Sequence, residues 1–112
     1  MRDGMPTETR DVKRMPKLAP RTAFGISADG RYLYVLIVDG RQKGYSHGAD
    51  MFDLARLLKA AGASDAINVD GGGSSTLVRY DQAGGGVVID NRHDPERRYY
   101  RNVAVSLGFY LP

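Results

Sequence analysis

Short apolar segments along the chain are patterned as β-strands. Segment 21–27 (RTAFGIS) alternates between apolar and polar residues, and segment 32–39 (YLYVLIVD) is apolar almost throughout. A continuous apolar run of this kind predicts a central strand that is buried on both faces. Asp29-Gly30 lies between the two segments and is a hairpin signal. The other segments predicted as strands are 66–70, 76–80 with 86–90 as a hairpin around the turn 84–86, and 102–110.

One segment, residues 50–61, has the period of an amphipathic helix. Asp50 is placed to cap its N-terminus, and Asp53 lies in the first turn, where a negative charge is favourable. Gly62 is placed to end the helix. The apolar stripe that would face a core consists of Met51, Leu54, Leu57, Leu58 and Ala61.

Together these segments predict an α+β (mixed α/β) fold, with a single mixed sheet of about five or six strands and one main helix. The length of 112 residues suits one domain. Strand 32–39, the helix and strand 66–70 form a β-α-β unit, whose strands are expected to be parallel with their C-terminal ends side by side. Residues 1–20 contain prolines and no sustained period, which predicts an extended or disordered arm ahead of a domain at 21–112.

Both strands of this unit end in Val-Asp-Gly, which predicts Asp39 and Asp70 at one edge of the sheet. Ligand clefts form at such edges. If both carboxylates face one cleft, repulsion and desolvation raise one pKa and create an acid/base pair, the usual minimum for cleaving a glycosidic bond. The spacing equally allows the two aspartates to be metal ligands. His47 and His93 lie in polar loops and do not make a zinc site, so no cofactor is predicted and a divalent metal stays open.

The run of Gly71, Gly72 and Gly73 follows directly after Asp70. Consecutive glycines can point their N–H groups to one side and bind an anion, and Ser74, Ser75 and Thr76 add hydroxyl donors. A wide turn is the alternative interpretation. The run is not a Walker phosphate loop, because no Gly-Lys-Ser/Thr follows, and it is not a dinucleotide fingerprint, because a strand comes next.

Arg41 follows Asp39 closely in the chain. The two side chains could form a mutual salt bridge. Alternatively, the guanidinium of Arg41 binds a phosphate or carboxylate through two hydrogen bonds, which suits its planar geometry.

Composition bears on whether the protein spans a membrane and on whether it binds nucleic acid. The chain has no cysteine, and its longest apolar run is too short to span a bilayer. The net charge of +3 indicates either anionic ligands or a solvated basic tail. Segment 91–101 (NRHDPERRYYR) is basic and aromatic, but its acidic residues disfavour nucleic-acid binding and favour a loop over the cleft.

The motifs 21–27, 38–76 (VDGRQKGYSHGADMFDLARLLKAAGASDAINVDGGGSST) and 101–107 (RNVAVSL) strongly resemble the phosphodiester glycosidase family, over about residues 20–109. This family includes the lysosomal uncovering enzyme, which removes N-acetylglucosamine from phosphodiester-linked mannose, and bacterial members linked to exopolysaccharides or cell-wall polymers. The resemblance implies a hydrolase that cleaves a glycosyl-1-phosphodiester in a glycan or cell-surface polysaccharide. Its implied partner is a phosphorylated sugar or glycan, not a nucleic acid.

Carried over by position, the resemblance implies Asp70 and Asp39 as catalytic carboxylates, with Asp70 leading. The implied substrate-binding residues are Arg21, Arg41, Gln42, Asn68, Gly71, Gly72, Gly73, Ser74, Ser75 and Arg101. Arg41 is the leading phosphate ligand. Because the phosphate is already a good leaving group, the chemistry mainly requires stabilisation of its charge and a carboxylate that supports the sugar cation or activates water.

Two departures qualify the resemblance. Residues before about position 20 lack the N-terminal portion of the family domain, so the chain resembles its C-terminal half, and Val105 replaces a polar Asn of relatives. A half-domain is expected to expose an apolar sheet edge or face, and hence to self-associate or to bind a chain that supplies the rest. The alternative function is a non-catalytic carbohydrate- or anion-binding module, or an inactive remnant. Relatives are mostly extracytoplasmic, but residues 1–21 show no signal-peptide pattern, so the compartment stays open.

Overall fold

The computed structural model describes residues 1–7, 17–92, 102–103 and 105–112. Over these residues the fold is α+β, as predicted, with one helix and two antiparallel sheets of three and two strands. The expected single sheet of five or six strands is not formed within this part of the chain. The elements are β1 (Arg21–Ile26), β2 (Leu33–Val38), α1 (Met51–Ala61), β3 (Asp65–Asn68), a 3₁₀ turn (Gly72–Ser74), β4 (Val78–Asp81) and β5 (Gly86–Ile89).

The first two strands form the predicted hairpin, with Arg21 opposite Val38 and Ile26 opposite Leu33. Asp29 shapes the turn, because its Oδ1 accepts hydrogen bonds from the Ser27 hydroxyl (2.6 Å) and from the Arg31 N–H (3.1 Å). These two bonds lower the pKa of Asp29. Gly30 adopts a φ of 70°, which glycine reaches without strain.

The three-stranded sheet has the order β2-β1-β3, and β1 is antiparallel to both neighbours. The strands β2 and β3 therefore run in the same direction, as predicted, but β1 lies between them. The expectation that their C-terminal ends lie side by side is wrong. The short turn after β1 places β2 on one side of it, so β3 pairs with the other side.

The helix begins and ends as predicted. Asp50 and Asp53 form a reciprocal capping box, and Gly62 ends the helix with a φ of 112°. Leu54 and Leu58 are buried against the sheet. Among the stripe residues, Leu57 and Ala61 remain exposed, so the buried face is narrower than the pattern predicts.

The core between helix and sheet is small and tightly spaced. It consists of Ala23, Ala49, Leu54, Leu58 and Ala63. A side chain at Gly25 would place its Cβ 2.8 Å from that of Ala63, so this glycine lets the segment after the helix lie directly on β1. Small residues thus determine the distance between the two layers.

Strand β2 is an edge strand, and the prediction that it is buried on both faces is wrong. Leu33 and Val35 are 54% and 41% exposed. Both lie on the sheet face opposite the helix, as does Ile67 of β3, which is 64% exposed. The hydrophobic run of β2 thus lies at an edge that no described strand covers.

The described N-terminal residues lie against the other edge of the sheet. Met1 and Ala66 exchange two hydrogen bonds, and the Gly4 N–H donates to the carbonyl of Ser64.

The strands β4 and β5 form the predicted second hairpin. The predicted last strand, 102–110, is not formed by its described residues, although the ring of Phe109 lies 6.4 Å from that of Phe24. No helix in the described ranges is long and apolar enough to cross a membrane.

Candidate functional site

An open cleft lies where β2 ends, beside the segment that leads into β1. It contains about 350 Å³ of empty space that is continuous with solvent. The close approach of main chains builds its wall: a Cβ at Gly40 would lie 2.6 Å from the Pro20 nitrogen, and one at Gly71 would lie 2.9 Å from the Pro20 carbonyl oxygen. The lining residues are Pro20, Asp39, Gly40, Arg41, Gln42, Gly72, Gly73, Ser75, Asn91 and Arg92.

Asp39 ties the loops around the cleft together. Its Oδ1 accepts a hydrogen bond from the Asn91 amide (3.0 Å), and its Oδ2 accepts from the Tyr45 hydroxyl (3.1 Å) and the Arg92 N–H (3.0 Å). The bond to Asp39 raises the pKa of the Tyr45 phenol. With both oxygens engaged by the protein, this carboxylate holds the site in shape.

Asn91 joins three segments of the site. Its amide nitrogen donates to Asp39 and to the Ser75 carbonyl (2.9 Å), and its Oδ1 accepts from the Leu77 N–H (2.7 Å). The sequence predicts a loop over the cleft at 91–101, of which 93–101 lie outside the described residues, and indicates no role for Asn91. The sequence signal for such a role is a carboxamide side chain directly after a predicted strand, because this group can donate and accept hydrogen bonds at the same time.

Among the described residues, Arg41 is one of two exposed cations that line the cleft, the other being Arg92. It has a φ of 56°, uncommon for a residue with a side chain, and a Cβ at Gly72 would lie 3.4 Å from its Nη1. No ion pair joins it to Asp39, so the salt-bridge alternative does not apply. The guanidinium therefore lies over the glycine turn with its donors available to an anion.

The glycine run forms a 3₁₀ turn in which most N–H groups are used within the chain. The Gly71 N–H donates to its neighbour Asp70, the Gly72 N–H donates to the Pro20 carbonyl, and the Ser74 and Ser75 N–H groups close the turn. Of these backbone donors, only that of Gly73 has no partner in the described structure. The run therefore does not present the row of free N–H groups expected of an anion nest.

The phosphodiester glycosidase family model matches residues 1–110. The chain belongs to the phosphodiester glycosidase family. The match begins at residue 1, ahead of the first motif residues near position 20. This member of the family is also similar to the crystal structure of a Burkholderia pseudomallei protein described as a candidate exported protein, with 39% identity and a TM-score of 0.53. That match covers 63% of this chain and 13% of the other. No curated protein matches.

The family motif residues divide into two groups in the structure. Those in the cleft are Asp39, Arg41, Gln42, Gly72, Gly73 and Ser75. Those outside its lining are Arg21, Asn68, Asp70, Gly71 and Ser74, and Arg101 is outside the described residues. The two predicted carboxylates are thus not brought together in one cleft. Within the described part of the chain no three potential metal-ligating side chains cluster.

Arg21 of this glycosidase-family chain has an anchoring position. It is 8% exposed, and its guanidinium donates to the carbonyls of Ala49 (3.1 Å) and Lys17 (2.9 Å). Burial, and secondarily the charge of Arg41, lowers its pKa. These bonds hold the start of β1 against the helix entrance.

Two polar side chains beneath the cleft surface are incompletely bonded. Gln42 donates through Nε2 to the Arg92 carbonyl (2.9 Å), while its Oε1 has no partner. The Ser75 hydroxyl also has none, although the residue is only 4% exposed. The guanidinium of Arg92, which also lines the cleft, stacks on the Tyr45 ring at 4.3 Å.

Proposed function

We propose that this chain acts in hydrolysis of a glycosyl-1-phosphodiester, releasing a sugar from a phosphate-linked glycan or cell-surface polysaccharide. Family membership supports this reaction class. The observation that carries the proposal is the position of Arg41, whose exposed guanidinium lies over Gly72 in the cleft. A guanidinium matches two phosphate oxygens and keeps its charge at all physiological pH values.

The leaving phosphate determines what the site must supply. Cleavage of the anomeric bond transfers negative charge to the phosphate oxygen, and Arg41 stabilises that charge. The Gly73 N–H provides a further donor at the same turn. Because the departing group is a weak base, the reaction does not need a strong general acid.

Asp70 is the better of the two carboxylates for activating water. Asp39 is bound through both oxygens, whereas Asp70 is exposed and accepts one described hydrogen bond, from the Gly71 N–H at 2.9 Å. Asp70 lies shortly before the cleft residue Gly72 in the chain, next to the 3₁₀ turn that this glycine begins. Its role in this proposal is to position the attacking water or to stabilise the positively charged sugar ring.

Sugar release from a synthetic N-acetylglucosamine-1-phosphodiester tests the proposal. Arg41→Ala is expected to lower kcat/KM about 100-fold or more, as loss of a charge-stabilising donor does elsewhere, and Arg41→Lys is expected to recover part of it. Arg56→Ala is the matched control, because Arg56 is exposed on the helix, away from the cleft. Equal activity of Arg41→Ala and Arg56→Ala would contradict the role of Arg41.

A non-catalytic sugar-phosphate-binding module is the second candidate. The observation that favours it is the separation of the carboxylates, since Asp39 is engaged within the protein and Asp70 lies outside the cleft lining. Calorimetric titration with a sugar 1-phosphate separates the two functions. Binding that depends on Arg41, with sugar release no greater than in Asp70→Asn, would favour the module.

A further inference from the structure

The open edge of β2 has the composition of an interior strand. Its residues are apolar from Leu33 to Val38, and no described strand pairs with its outer side. Edge strands of soluble proteins usually carry charges or prolines that prevent pairing with other chains. Strand β2 has neither within its length.

The backbone groups available at this edge can be assigned from the hairpin. The Ser27 N–H donates to the Tyr32 carbonyl at 3.0 Å, so hydrogen-bonded pairs along the ladder fall on even-numbered residues of β2. The N–H and C=O groups of Leu33, Val35 and Ile37 therefore point outward.

We infer that this edge pairs with β2 of a second copy of the chain, antiparallel and centred on Val35. In this register Val35 lies opposite Val35 of the second copy, and Leu33 lies opposite its Ile37. Both copies then use their outward backbone groups, and the apolar faces of the two sheets become continuous. A six-stranded sheet results, with β2 at its centre.

Charge supports a second copy as the occupant. Arg31 precedes the strand and Asp39 follows it. Antiparallel pairing about Val35 places Arg31 of each copy opposite Asp39 of the other. The three donors that bind Asp39 within the chain are uncharged groups, so its negative charge still attracts Arg31 of the second copy without a further hydrogen bond. The second copy thereby brings an arginine to the strand end that leads into the cleft. This inference does not depend on the proposed function.

Light scattering after gel filtration tests the pairing with a matched pair of variants. The wild-type chain is expected to have about twice the monomer mass of 12.3 kDa. Val35→Lys places two like charges opposite each other and is expected to give monomers. Ile67→Lys is the control, on the same sheet face but on β3, and is expected to stay dimeric. A monomeric wild type, or loss of the dimer in Ile67→Lys, would overturn the proposal, the latter indicating face-to-face stacking.

Cysteine cross-linking tests the register independently of these charges. The chain has no cysteine of its own. Val35→Cys would face its own copy with Cα atoms about 5.5 Å apart, within disulfide range. Leu33→Cys would lie about 13 Å from its own copy, because the two positions are offset by four residues. Oxidation is expected to dimerise only Val35→Cys, and equal cross-linking of both variants, or of neither, would refute the register.

The pairs formed by Arg31 and Asp39 of the two copies allow a further test, in which the dimer Kd is measured. Arg31→Glu places a carboxylate opposite Asp39 of the second copy and is expected to raise the dimer Kd by roughly two- to five-fold at low salt. Sedimentation velocity over a concentration series measures the change. An unchanged Kd would contradict the antiparallel orientation about Val35.

Discussion

Replacing Asn91 by Asp changes one group of the site at nearly constant volume. The Oδ1 that accepts from Leu77 is retained, while the amide nitrogen becomes a second oxygen. That oxygen would lie about 3.0 Å from Asp39 Oδ1 and 2.9 Å from the Ser75 carbonyl oxygen, two acceptors with no proton between them. The substitution thus converts two hydrogen bonds into two repulsive contacts.

The cost follows from the distance to Asp39. Two unit charges about 3.0 Å apart repel by about 1.4 kcal/mol at the dielectric constant of water and about 5.5 kcal/mol at an effective value of 20. The half-exposed position favours the lower part of that range, about 2 kcal/mol. Loss of two hydrogen bonds adds about 1 kcal/mol after water has replaced them in part. The Asn91→Asp variant is therefore expected to lose about 3 kcal/mol of unfolding free energy at pH 7.

Urea denaturation at several pH values, with Asn91→Ala as control, measures this cost. The control loses the same two hydrogen bonds and also the one from Leu77, but gains no repulsion, and is expected to lose only about 1–2 kcal/mol. In Asn91→Asp the paired carboxylates raise one pKa in the folded state, so the folded protein binds more protons than the unfolded chain. Its deficit should shrink as the pH falls from 7 towards 5. Equal losses in the two variants, with the same pH dependence, would show that the carboxylate introduced at position 91 does not repel Asp39 in the folded protein.

Four further results are expected. Leu58→Ala empties a core position that is 2% exposed and should cost about 2–5 kcal/mol in chemical denaturation. Asp50→Ala removes the helix cap and should cost about 1 kcal/mol in the same assay, whereas Asp50→Asn should cost less. Gly48→Ala places a Cβ into the backbone of Ala19 at a φ of 102° and should lower Tm by about 8 °C or more, measured by thermal circular dichroism. The pKa of Asp53 is lowered, first by the hydrogen bond from the Asp50 N–H. Its contribution to stability is therefore fully present above the unfolded pKa of about 3.9 and is lost as the pH falls through the folded pKa. Asp53→Asn should consequently reduce the loss of stability at acidic pH, measured by urea denaturation over a pH series.

Local sequence signals predicted the local elements well. The helix from Asp50 to Gly62 follows from a cap, a period and a stop signal that act within a few residues of each other. The hairpin at Asp29-Gly30 and the second hairpin, β4 with β5, are also where the turn signals place them. These interactions are short-range, so the residues involved are neighbours in the chain as well as in the fold.

Strand order could not be predicted in the same way. The apolar run of β2 indicates a strand that is covered on both sides, but periodicity does not identify the segment that covers it. The turn at 27–32 brings β1 to one side of β2, and β3 pairs with β1 instead. This arrangement places β1 between the two Val-Asp-Gly ends and separates the expected carboxylate pair.

Short-range patterns in the sequence are enough to predict the strand that leads to Asp39, and the ordered motifs indicate the phosphodiester glycosidase family. The contacts that the described motif residues make come from the tertiary structure. It turned Asp39 inward to three donors, placed Arg21 at the helix entrance, and brought Asn91 across to Asp39. A hydrogen bond between residues 52 positions apart forms only when the chain closes the loop between them, and no local pattern encodes that closure.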